Sequence, residues 1–104
     1  MAKKTKSTVK PSERFGTVAR TLKTVAHPER LAILELLGDK ELSVNEVAEA
    51  IGAKQSITSH HLNLMRVHGV LYDRREGVKV FYGIKNKGVN KLLECIYQNC
   101  KESV

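Results

Sequence analysis

Between Ser43 and Tyr82 the hydrophobic period switches once, from helical to alternating, and the punctuation around that switch leaves few folds open. Ser43 followed by Glu46 is a capping box, and Val44, Val47, Ala48 and Ile51 continue it as one apolar face. Gly52 suits a left-handed cap at the helix end. A second helix starts almost at once, from about Lys54 to His68, with Ile57, His61, Met65 and Leu64 or Leu62 turned inward, and Gly69 closes it. Side chains then alternate. Val70-Leu71-Tyr72 leads into a charged turn, Asp73-Arg74-Arg75-Glu76-Gly77, and Val78-Lys79-Val80-Phe81-Tyr82 returns as a β-branched and aromatic strand. The pattern is a helix-turn-helix followed directly by a hairpin.

The flanks are helical. Phe15, Val18, Ala19, Leu22, Val25 and Ala26 carry the i, i+3, i+4 spacing of an amphipathic helix. Pro28 forces a break and suits the first turn of the next helix, which runs through Leu31, Leu34 and Leu37 to Gly38. After Asn86-Lys87-Gly88 a last helix places Val89, Leu92, Leu93, Ile96 and Cys100 on one side. Residues 1–12 have no periodicity and read as a disordered basic arm, with the folded domain over 13–101 and a tail at 102–104. The expected fold is mostly α with a β-hairpin wing, in the order α-α-α-α-β-β-α.

A chain of 104 residues holds one domain and buries roughly 65% of its unfolded surface. That core is too small to cover the apolar stripes of both the first and the last helix. A homodimer is therefore expected, through Phe15, Val18, Leu22, Leu92, Leu93 and Ile96. No apolar run approaches a membrane span, no signal-type segment follows the N-terminal lysines, and two cysteines near the C-terminus cannot staple a fold. These features predict a cytoplasmic chain with no membrane contact.

Charge is segregated along the sequence. Against a net charge of +7, residues 28–51 carry two bases and six acids, whereas residues 54–91 carry eight bases and two acids. A basic segment set apart in this way is suited to a polyanion. The helix at 54–68 turns Lys54, Gln55, Ser56, Thr58, Ser59 and His60 outward, short polar groups with no acid among them, which suits a helix laid in the DNA major groove. The hairpin adds Arg74, Arg75 and Lys79 for the flanking backbone. The six acids are expected to lie away from the nucleic acid. There is no Gly-rich phosphate loop, nucleophile elbow or apolar carboxylate pair, so no enzyme is expected.

The runs LKTVAHPERLAILELL and ELSVNEVAEAIGAKQSITSHHLNLMRVHGVLYDRREGVKVFYGI resemble the ArsR/SmtB family of winged-helix repressors over roughly residues 15–100. The resemblance implies a dimer, built on the first and last helices, that binds double-stranded DNA at a pseudo-palindromic operator. In such repressors an inducer, often a metal ion or a thiol-reactive species, releases the DNA. The Cys-x-Cys pair of the metalloid-sensing members is absent, since Ser43 and Asn45 stand there. The Asp, His and Glu ligands of the zinc-type members are absent from the last helix, where Asn86 and Gly88 hold the early positions and no His follows His68.

No metal site is expected from the histidines. His60 and His61 point about 100° apart on a helix; His61 reads as a core residue and His60 as facing DNA. His27 and His68 read as helix-end residues, and no cysteine or carboxylate stands at ligand spacing from them. Cys95 and Cys100 lie about 140° apart around their helix and ~7.5 Å along it, too far for an intrahelical disulfide. They read either as small apolar residues or as inducer-sensing thiols that take a metal or metalloid together with their symmetry mates. Two further readings stay open: a regulator with no small-molecule inducer, and a basic winged-helix module for RNA or a protein partner. DNA is favoured because the second helix of the motif has no aromatic residue on which an RNA base could stack.

Overall fold

The structure, a computed structural model, describes residues 10–100. Eight elements follow one another: α1 (Pro11–Val25), α2 (Pro28–Leu37), β1 (Leu42–Ser43), α3 (Val44–Ile51), α4 (Gln55–Val67), β2 (Leu71–Glu76), β3 (Lys79–Ile84) and α5 (Lys87–Asn99). The strands form one antiparallel sheet in the order β1-β3-β2. Among the described residues no helix is long and apolar enough to cross a membrane.

The capping box and the glycine cap of α3 lie where the sequence puts them. Ser43 and Glu46 make both bonds of the capping box, and Gly52 ends α3 in the left-handed region at φ 68°. His27 caps α2 by accepting from the Glu29 backbone N–H, and Asn86 caps α5 by accepting from Val89. The core joins Ile33, Leu34 and Leu37 of α2 to Val47 of α3, Leu62 and Met65 of α4, Leu71 and Ile84 of the sheet, and Val89 and Leu93 of α5.

Several expectations are corrected. α1 begins at Pro11, two residues inside the stretch read as an arm, because proline fits the first helical position, where its missing N–H costs nothing. Residues 1–9 of the arm and 101–104, which include the tail, lie outside the described residues. The hairpin turn is not the charged run Asp73–Gly77. β2 continues to Glu76, which pairs with Lys79 across a two-residue turn of Gly77 and Val78, and Gly77 supplies the positive φ of 64°. β1 was not expected, since two residues cannot display alternation; Leu42 and Ser43 pair with Tyr82 and Phe81. On α4 the inward set is Thr58, His61, Leu62 and Met65, so Ile57 faces solvent and Thr58 does not.

Leu93 is also corrected. It is 8% exposed and packs into the core of its own chain, leaving Leu92 and Ile96 as the outward apolar residues of α5. Together with Phe15, Val18 and Leu22 of α1 they stay exposed. The two faces adjoin, since Val18, Thr21 and Leu22 line one groove with Gly88, Val89 and Leu92.

Candidate nucleic-acid interface

What exposes the polar face of α4 is the way its other face is seated. Leu62 and Met65 are fully buried, and the Thr58 hydroxyl, also buried, donates to the Lys54 carbonyl at 2.9 Å. Thr58 is thus an internally satisfied core residue, not an outward one. The remaining outward positions of the first two turns, Gln55, Ser56, Ser59 and His60, are exposed beside Lys54. No side chain caps this helix, and Lys54 stands at its N-cap in extended backbone. The first-turn N–H groups and the lysine ammonium together favour an anion. With no acid anywhere on α4, this face is an array of amide, hydroxyl and imidazole groups next to the Lys54 ammonium.

The wing lies beside it. Gln55 lines one groove with Asn45 and Glu46 of α3 and with Val78, Lys79 and Val80 of the wing. Val78, at the tip, is 99% exposed. Arg75 and Lys79 are exposed as well. Arg74 is occupied differently: its Nε donates to Glu41 at 2.8 Å, its Nη1 donates to Glu76 at 3.0 Å, and its guanidinium lies 5.0 Å from the Phe81 ring centre. It braces the wing. Glu41 is correspondingly not set apart from the basic surface, because it also accepts from the Tyr72 hydroxyl at 2.7 Å. That bond first, and Arg74 second, hold the Glu41 carboxyl below its usual range. Tyr72 in turn lies over Gly83, where a Cβ would come within 2.5 Å of its hydroxyl. A glycine there is what lets the ring cross the strand.

A second group of side chains was not legible from local spacing. His27 at the start of α2, Glu29 one residue into it and His61 on α4 bring one potential ligand atom each to within 4.8 Å of one another. His61 Nε2 and Glu29 Oε1 are 2.7 Å apart, and Arg30 Nε donates to His61 Nδ1 at 2.9 Å. The reading that no carboxylate stands at ligand spacing from these histidines fails: Glu29 follows His27 by two residues, and packing brings both to His61. More than thirty residues separate His61 from its partners, so only packing reveals the cluster. His61 is buried, as expected, and His60 is exposed. Cys95 and Cys100 are both free and exposed.

The family model described as the bacterial regulatory protein, arsR family, matches residues 27–72, from the α2 cap into β2. The HTH-type transcriptional regulator NmtR of Mycobacterium tuberculosis is 39% identical over 89 residues, covering 85% of this chain and 74% of that protein. The transcriptional repressor PagR of Bacillus anthracis is 42% identical over 82 residues, covering 75% of this chain and 82% of PagR. Among solved structures, the homodimeric winged helix-turn-helix DNA-binding domain of Mb0332 from Mycobacterium bovis superposes with a TM-score of 0.80 at 29% identity. That match covers 100% of this chain and 94% of the other.

Proposed function

This chain belongs to the ArsR family of bacterial regulatory proteins and is a DNA-binding transcriptional regulator, not an enzyme; we propose that it is a homodimeric repressor that reads a pseudo-palindromic operator with α4. One observation carries the reading: the exposed, acid-free start of α4 lies next to Lys79 at the wing in a single groove. Gln55, Ser56, Ser59 and His60 are assigned to base edges and nearby phosphates, and Lys54, Arg75 and Lys79 to the backbone. Arg74 takes the positioning role that its two carboxylate partners give it. The likeness to a repressor of Bacillus anthracis supports repression, and the likeness to a homodimeric domain of Mycobacterium bovis supports the dimer.

A pair of substitutions tests the assignment. Gln55→Ala is expected to cost about 1–3 kcal/mol of operator binding and to leave binding to unrelated duplex nearly intact. Arg75→Ala is expected to weaken binding to every sequence and to flatten the salt dependence by roughly one unit of slope. Both are read by titration of labelled duplexes across a salt series. Equal losses on operator and unrelated DNA for Gln55→Ala would assign that residue to phosphate instead. Tighter binding of duplex RNA than of duplex DNA at matched salt would replace the DNA reading altogether.

The cysteines support a second assignment, that of an inducer contact. Both thiols are free and exposed, and Cys100, the C-cap of α5, follows the outward-facing Ile96 by four residues and donates its backbone N–H to the Ile96 carbonyl. Arsenite, a soft metal ion or an oxidant that engaged them in the dimer would displace α5. Their exposure leaves both thiols open to attack. Cys100→Ser is therefore expected to keep its operator at doses of these agents that release it from the wild type. Equal release doses for the two proteins, or no response from either, would reduce the cysteines to surface residues and favour a regulator without a thiol inducer.

A further inference from the structure

We propose that His27, Glu29 and His61 form a binding site for a divalent transition-metal ion, separate from the cysteines and from the DNA-reading face. The three side chains come from two elements that meet only in the fold. His27 and Glu29 stand at the start of α2, and His61 stands in the middle of α4. Their rings and carboxylate already converge: the two imidazole centres are 4.7 Å apart, inclined at 59°, and Glu29 touches His61 Nε2 at 2.7 Å.

The donor set selects the ion. Two imidazoles and one carboxylate suit zinc, cobalt, nickel or copper and are a poor match for magnesium or calcium, which demand more oxygen ligands. Ligands held about 2.0–2.2 Å from a tetrahedral ion lie ~3.3 Å from one another. The Glu29–His61 pair would open by about half an ångström, and His27 would close on it. Both movements are within reach of side-chain rotation. The Glu29 side chain is 46% exposed, and His27 is held only by a long 3.2 Å bond from the Glu29 backbone N–H. Glu29 also gives the ion its way in from solvent, and a fourth position remains for water.

The ion would replace an existing tether. Arg30 donates from Nε to His61 Nδ1 and from Nη1 to the Thr24 carbonyl at 2.8 Å, joining the end of α1 to α4. Because Nδ1 accepts from Arg30, the proton of the neutral ring sits on Nε2, pointing at Glu29. An ion on Nε2 moves that proton to Nδ1, where it meets the Arg30 N–H, so Arg30 withdraws. The connection that Arg30 makes between the end of α1 and the DNA-reading helix is then lost, while the existing one from Glu29 at the start of α2 to that helix passes through the ion and gains His27. No oxidation or bond cleavage is involved.

Cobalt(II) titration of the full chain, followed by visible absorption and with zinc as competitor, tests the site. The wild type is expected to bind one Co²⁺ per chain with a tetrahedral-type spectrum lacking the near-ultraviolet sulfur-to-metal band. His27→Asn removes the imidazole while keeping an oxygen to cap α2. It should weaken Co²⁺ at least tenfold, as should Glu29→Gln, whose half-exposed position makes it the safer variant for folding. The double replacement Cys95→Ser, Cys100→Ser should bind Co²⁺ as the wild type does. Absence of binding, unchanged affinity in Glu29→Gln, or loss of the signal only with the cysteines would each overturn the site. None of these readouts depends on operator binding, so the site can fail while the proposed function stands, and the reverse.

Discussion

Replacing Leu92 with lysine is expected to leave a folded monomer whose operator affinity falls at least ~100-fold. Leu92 is 43% exposed on α5, beside Ile96 and next to the α1 face of Phe15, Val18 and Leu22. Five large apolar side chains exposed on two adjoining helices form more of a patch than a chain of this size leaves open without a partner. The shape agrees: a radius of gyration of 16.3 Å exceeds the ~13 Å of a compact domain of about this length. A dimer also brings two copies of α4 to one duplex, and losing the second copy forfeits the avidity of linked half-sites, typically 10²–10⁴ in affinity. Sedimentation and operator titration of the same sample measure the two effects together. Leu93→Lys is the contrasting control: it forces a cation into the core of the single chain and should unfold it instead of dissociating it. A wild-type chain that sediments as a monomer at micromolar concentration would remove the basis of the first expectation.

The contrast between Leu92 and Leu93 marks where the sequence stops informing. Adjacent leucines on a helix point about 100° apart, and a stripe wide enough to include both cannot say which meets the core and which a partner. The same one-residue ambiguity misplaced Ile57 and Thr58: a branched apolar residue seemed the natural one to turn inward, yet Thr58 takes that place. The positions 58, 61, 62 and 65 make the true i, i+3, i+4, i+7 face, and the buried hydroxyl is satisfied four residues back. The ends of α3 were legible because caps are local chemistry; Ser43 and Gly52 act on neighbours within a few residues. The wing turn was half legible, since Gly77 marked it but the charged residues before it looked like loop and are strand. What the sequence hid was every contact between distant segments. Glu41 reaches Tyr72 and Arg74, and His61 reaches Glu29 and Arg30, across more than thirty residues in each case.

Leu62→Ala is expected to destabilise the protein by about 2–5 kcal/mol, the cost of a fully buried leucine that leaves a cavity. Leu62 has no exposure and sits with Met65 on the face that seats α4 against the rest of the core. A natural domain has only about 5–15 kcal/mol in hand, so the loss approaches global unfolding. Operator binding should therefore fade with temperature before any groove-facing residue has changed. Thr58→Val separates seating from reading on the same face. It preserves shape, removes one hydroxyl whose acceptor is the Lys54 carbonyl, and should cost only about 1 kcal/mol. Because the Thr58 side chain is buried, its removal should leave the preference for operator over unrelated duplex as it is in the wild type. Thermal unfolding at fixed protein concentration, needed because a dimer's midpoint depends on it, reads the stability of both variants. A Thr58→Val protein that folds normally but no longer tells operator from unrelated DNA would return Thr58 to the groove and show that α4 turns on binding.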